Sequence, residues 1–149
     1  MADMQQLRRA AQGTTRTESS LVDIVLRSGI VALTVATGVI HLTLGGVLFT
    51  LNGLGYLTAA VLMIVPLQLG IRYRGVVRLG LLGYAATTIV GWYLMGPRYE
   101  TAYIAKTIEV GLIALLAIEI RRLDGSPAAI VRRALGDVVA AAQRVARGS

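Results

Sequence analysis

Long apolar blocks separated by short polar breaks dominate the chain. The blocks cover about residues 24–44, 47–71, 76–95 and 101–120. A helix crosses a bilayer with about 20 predominantly apolar residues, and each block has about that length. The apolar residues neither alternate as in a half-buried strand nor leave a polar face at helical period, so the pattern is that of a polytopic membrane protein. Four spans with such short connections must pack antiparallel. The expected fold is therefore all-α: a polytopic membrane four-helix up-down-up-down bundle.

The junction between the first two spans has two readings. A turn at Asn52-Gly53 follows a strong turn signal and leaves a short second span over 54–71. A turn at Gly45-Gly46 gives spans of about 21 and 25 residues, each long enough to cross, and is preferred. Pro66 then falls near the inner end of span two, where it is expected to kink the helix. The segment Arg72-Tyr73-Arg74-Gly75 reads as a basic loop, and Gly96-Pro97-Arg98-Tyr99-Glu100 as a tight turn.

The ends are different. Residues 1–20 are polar, with no apolar core or cleavage site of a signal peptide. Residues 1–11 suit a short surface helix, and 13–20 a loop with Ser19 or Ser20 capping the first span. After span four, Gly125 ends the helix, Ser126 is an N-cap and Pro127 takes the first position of a new one. Within residues 123–149, Ile130, Val131, Ala134, Leu135, Val138, Ala142 and Val145 share one arc, and arginines occupy the other. That is an amphipathic C-terminal helix suited to lipid headgroups; pairing with a partner or a second copy is the competing reading.

Composition agrees with the pattern. The chain has 149 residues, 55% hydrophobic and 15% charged, with mean hydropathy +0.67. It has no cysteine, which excludes disulfides, iron–sulfur sites and thiolate zinc sites. One histidine excludes a His-rich metal centre or a bis-histidine haem within one chain. The net charge of +7 comes from arginines flanking the spans, which points to membrane lipids as partners and not to nucleic acid. Thirteen arginines lie at one side of the spans and only Arg98 at the other, which places both termini in the cytoplasm. Arg27 is expected to snorkel to the interface.

Candidate chemistry comes from polar residues inside spans, which are costly and so point to function. Lys106, the only lysine, and Glu109 lie one turn apart in span four. By helical rise Lys106 is roughly 7–8 Å and Glu109 roughly 12 Å inside the outer end, too deep for Glu109 to reach water. Thr34, Thr37, Gly38 and His41 form a small polar stripe on span one, the kind that faces other helices. Asn52 and Tyr56 share a face of span two, and Tyr103, Lys106 and Glu109 a face of span four. His41, Asn52, Tyr56, Lys106 and Glu109 are thus the ligand-binding candidates, around a pocket between spans one, two and four that opens outward. Tyr84, Thr87 and Thr88 read as packing groups on span three, and Trp92 and Tyr93 as interfacial aromatics. Glu119 is expected to reach Arg122 or a headgroup. No catalytic triad, phosphate loop or metal-ligand set is present, and no cofactor is implied.

The segments ATGVIHLTLGG, VLFTLNGLGYL, TIVGWYLM and AKTIEVGLIALL resemble a family of small four-span membrane proteins, mainly archaeal with some bacterial members, to which no activity is assigned. The shared pattern is an Ile-His-Leu segment closing span one, Leu-x-Gly-x-Gly-aromatic in span two and a lysine in span four. It covers about residues 28–122. Members often have a longer loop after the histidine, and many carry another residue where Glu109 stands. The resemblance implies a four-span topology in a prokaryotic cytoplasmic membrane and singles out His41 and Lys106.

Three functional readings compete. In one, the chain binds a small molecule, lipid or ion in the outward pocket as a small transport or accessory subunit. In another, it is a structural or assembly subunit of a larger membrane complex, its polar groups serving packing. The third is a membrane enzyme or proton-coupled carrier using Glu109 and His41. Four spans are few for alternating access, so transport implies a homo-oligomer.

Overall fold

The computed structural model describes the backbone of residues 2–65 and 68–148, and the side chains of residues 20–65 and 73–147. Five helices follow one another: α1 (Ala2–Thr43), α2 (Val47–Ile64), α3 (Gln68–Met95), α4 (Glu100–Leu123) and α5 (Pro127–Gly148). No strand occurs among the described residues. In α1 to α4, the stretches Ser20–Thr43, Val47–Ile64, Tyr73–Met95 and Glu100–Leu123 are long and apolar enough to cross a membrane. The chain is therefore a multi-pass membrane protein. Apolar side chains such as Leu51, Leu54, Val61, Val90, Ile104 and Val110 face outward, as lipid contact requires and water would penalise.

The chain turns between α1 and α2 at Gly45-Gly46, not at Asn52-Gly53, which lies inside α2. Gly45 and Gly46 have φ of 72° and 88°, a region open to glycine at little cost. Each α1–α4 neighbour pair in the sequence also packs in space, and α1 packs on α4 to close the ring. The α1–α2 crossing is close because two glycines meet there. A Cβ on Gly53 would stand 2.8 Å from the Gly38 carbonyl oxygen, and one on Gly38 would stand 3.2 Å from that of Gly53. Small residues let membrane helices approach in this way. Below the crossing, Ile30, Met63, Leu81, Leu112 and Leu116 form the buried apolar core.

Four expectations need correction. First, residues 13–20 are not a loop: α1 runs unbroken from Ala2. Within that stretch only Arg16 and Glu18 are strong helix formers, so the helix there continues between the Ala-, Gln- and Arg-rich residues 2–12 and the first span, propagation costing less than a new start. Second, span two ends at Ile64 rather than residue 71. Val65 adopts φ −67° and ψ 127°, the extended conformation favoured before a proline. The expected kink at Pro66 lies outside the described residues. Third, 72–75 is not a loop, because α3 starts at Gln68. Fourth, Arg27 is not free to serve the interface alone: its Nη2 donates to the Met63 carbonyl near the end of α2.

At the other junction Gly125 has φ of 80°, and Ser126 Oγ accepts from the Ala129 N–H to cap α5. Helix α5 packs on α3 through its first turn, where Ile130 lies against Gly75. Its later apolar residues Leu135, Val138 and Val145 are exposed.

The glycine contact is open to a direct check. Gly53→Ala is expected to lower stability by about 1–3 kcal/mol, because the new methyl meets backbone that cannot move cheaply. Gly80→Ala meets nothing within 4 Å and is expected to be neutral or slightly stabilising. Thermal unfolding in detergent reads both.

Candidate functional site

Glu109 is the centre of the polar cluster. It stands midway along α4, with no exposed surface. In a span there is no water to hydrogen-bond its carboxylate, so other side chains must do so. Lys106 Nζ donates to Oε2 at 2.7 Å and Thr88 Oγ1 donates to the same oxygen at 2.8 Å. The lysine comes from the preceding turn of the same helix, and the threonine from α3. Tyr56 OH lies 3.0 Å from Thr88 Oγ1. The threonine hydroxyl has one proton and two acceptors in range, Glu109 Oε2 and the Ala85 carbonyl at 2.9 Å; with the proton on Glu109, Thr88 accepts from Tyr56.

The second carboxylate oxygen is held differently. Among the described residues Oε1 has no hydrogen-bond partner. His41 Nε2 stands 3.6 Å from it, beyond a hydrogen bond. His41 Nδ1 lies 2.9 Å from the Thr37 carbonyl, and a carbonyl can only accept, so Nδ1 bears hydrogen. Nε2 is thus the ring atom left facing Glu109. Thr37 Oγ1, one turn earlier on α1, is also buried and without a partner among the described residues. Removing one member of a buried charged pair costs about 3–5 kcal/mol, since the other stays behind uncompensated.

A cavity of about 340 Å³ lies on the near side of this cluster. His41, Asn52, Tyr84, Thr88 and Lys106 contribute its polar groups, while Leu48, Phe49, Trp92, Met95, Tyr99 and Ala105 make most of its wall. The ends of all four spans supply it. Glu109 does not line it, but His41, Thr88 and Lys106 all lie against Glu109 and all reach the cavity. At its rim Trp92 Nε1 donates to the Pro97 carbonyl, and the Arg98 guanidinium sits 4.8 Å over the indole ring. The one arginine at this end of the bundle is therefore engaged.

All five sequence candidates sit in this region, but in two sets. His41, Lys106 and Glu109 are in direct contact, and Tyr56 joins them through Thr88. Asn52 belongs to the second set: its Oδ1 accepts from Tyr84 OH at 2.6 Å. The two sets meet where the Tyr56 and Tyr84 rings pack edge to face at 4.9 Å. Tyr103 is apart from both, half exposed and against Trp92. Two residues read as packing groups prove to be polar partners, Tyr84 and Thr88. Their i, i+4 spacing on α3 was the available signal. The pocket is accordingly built from four spans and not from spans one, two and four alone.

The opposite end of the bundle holds a second polar cluster. Glu119 is buried, and it is Arg78 of α3, not Arg122, that meets it, with Nε 3.0 Å from Oε2. Neither atom has a hydrogen bond with acceptable geometry, so this is a charge contact without a directed bond. Arg78 Nη1 also reaches Asp124 at 2.8 Å, while Arg122 pairs with Asp23 at 3.1 Å. Among the described residues, no group of three His, Asp or Glu is placed to hold a metal ion.

Searches of protein families, curated proteins and solved structures find nothing detectably similar to this chain, so its function is argued from its own residues.

Proposed function

We propose that the cavity between the four helix ends binds a small, mainly apolar molecule bearing one hydrogen-bonding group, such as a lipid or a hydrophobic metabolite. One observation carries this: the cavity of about 340 Å³ has apolar and aromatic walls and a few convergent polar groups, three of which, His41, Thr88 and Lys106, lie against one buried carboxylate. Small-molecule sites have that build and volumes of about 300–1,000 Å³. Glu109 fixes the position of Lys106, whose ammonium has two N–H groups beyond the one it donates to the carboxylate, and these are the donors offered to the ligand. The protein then acts as a small transport or accessory subunit, and a transport role calls for a homo-oligomer. Kinship with the four-span family that it resembles belongs to the same reading.

A second reading has its own support. Lys106 and Thr88 satisfy one oxygen of Glu109 without any ligand, which suits a structural subunit whose polar groups only join helices. Two substitutions separate these. Gly91→Leu fills the cavity without touching a polar group, since a side chain there meets open space. Lys106→Met removes a donor. On the binding reading, native mass spectrometry in mild detergent finds a co-purifying ligand on the wild type, and Gly91→Leu reduces it at least tenfold with thermal stability unchanged. Lys106→Met is expected to lose the ligand too while remaining inserted. A bare wild type, or a Lys106→Met protein that fails to insert, favours the structural subunit.

We also propose a prokaryotic cytoplasmic membrane as the location, with both termini in the cytoplasm. The arginine distribution supports it: Arg98 stands alone at the cavity end, and the remaining arginines lie towards the other. Helix α5, with its exposed apolar face and arginine-bearing opposite face, then lies along the inner headgroups. A reporter fused after Ser149 is expected inside the cell; one found outside reverses the orientation.

A further inference from the structure

The arginine end of the bundle contains a second cavity, of about 450 Å³, between α1, α3 and α4. Arg27, Arg74 and Arg78 line it, together with Glu119 and, at the rim, Asp23. The charges do not balance. Glu119 and Asp124 are both taken by Arg78, and Asp23 is taken by Arg122. Among the described residues, Arg27 has only the neutral Met63 carbonyl. Among the described residues Arg74 makes neither an ion pair nor a hydrogen bond, and its Nε is buried. Among the described residues, two guanidiniums from different helices thus face one cavity with no carboxylate at ion-pair distance, Glu119 acting on Arg74 only from farther off.

A partly buried guanidinium without an acceptor is costly, and arginine does not relieve the cost by losing its proton. A bound anion does relieve it. Guanidiniums offer paired N–H groups that match phosphate oxygens, and two of them on separate helices can clamp one phosphate group. The position is appropriate too: Arg74 stands next to Tyr73, where the apolar stretch of α3 begins and the phosphates of the arginine-rich leaflet lie, and Arg27 faces the same cavity from roughly 10 Å along α1 past Ser20.

We infer that this cavity is a phosphate-binding site, holding the phosphate of an anionic phospholipid headgroup or a soluble phosphate through Arg27 and Arg74. It is separate from the cavity at the His41 end and does not depend on it.

Arg74→Gln is the informative substitution because, among the described residues, Arg74 has no hydrogen-bond or ion-pair partner to lose. Arg121→Gln serves as control: Arg121 is exposed at the same end but outside the cavity. The delipidated full chain is supplied either with phosphatidylglycerol or phosphatidylcholine in mixed micelles, followed by native mass spectrometry, or with inorganic phosphate, followed by titration calorimetry. Wild type is expected to retain phosphatidylglycerol over phosphatidylcholine, or to bind inorganic phosphate. The first result identifies a headgroup, the second a soluble anion. Arg74→Gln is expected to weaken whichever is bound at least tenfold, and Arg121→Gln less than twofold. Equal losses in the two variants would show general surface charge and overturn the site, as would a wild type that binds neither probe. An Arg74→Gln protein that unfolds would also overturn it, since the side chain would then be bonded within the protein.

Discussion

A carboxylate placed where water cannot follow organises the bundle. Glu109 has no exposed surface, and a charged group in a membrane span must be met by donors that the protein supplies. Those donors come from its own helix and from α3, while His41 brings α1 against the remaining oxygen. The close approach of Gly38 to Gly53 draws α2 onto α1 and so places Tyr56 beneath the histidine ring, at 5.6 Å between centroids. One carboxylate therefore links residues from all four spans, and the cavity is the space left where those spans diverge above it.

The bundle has two polar poles with an apolar middle. Ile30, Leu81, Leu112 and Leu116 separate the Glu109 cluster from the Arg78–Glu119 cluster. The two poles solve burial differently. At the Glu109 pole one acid is shared among a lysine, a threonine and a histidine, and acceptor capacity is left over on Oε1. At the arginine pole cations exceed acids, and donor capacity is left over on Arg74. A polar group unsatisfied by protein is an opportunity for a ligand, so the two ends favour chemically opposite guests. The first offers the spare N–H groups of Lys106 in an apolar chamber, and the second offers positive charge at the arginine-rich end.

Much of this was legible in the amino-acid pattern. The spans follow from block length alone, and the stripe Thr34–Thr37–Gly38–His41 is buried against neighbours as small polar residues in a span should be. Lys106 and Glu109 stood out because ionisable residues are so rarely tolerated there. The contribution of α3 was harder to see. Tyr84 and Thr88 are ordinary residues in membrane helices, and only the approach of α4 gives them a charged partner. Arg27, Arg78 and Glu119 were hidden for a related reason. Arginine near a span end usually reaches headgroups, and it takes the packing of three helices to turn it inward. Continuity of α1 through residues 13–20 was missed because polar turn-forming residues and helix formers are mixed there.

The central claim is that Lys106 and Glu109 form an ion pair inside the span. Lys106 is the only lysine, so ¹⁵N-lysine labelling places a single Nζ signal in the protein. Solid-state NMR on the protein in lipid bilayers, with ¹³C-glutamate, measures whether that nitrogen is dipolar-coupled to a carboxylate. The account predicts a strong short-range coupling, matching an N–O separation of 2.7 Å, that disappears in Glu109→Gln. An Nζ with no carboxylate coupling and free exchange with water would contradict it, because the lysine would then have snorkelled to the surface and left Glu109 without its cation.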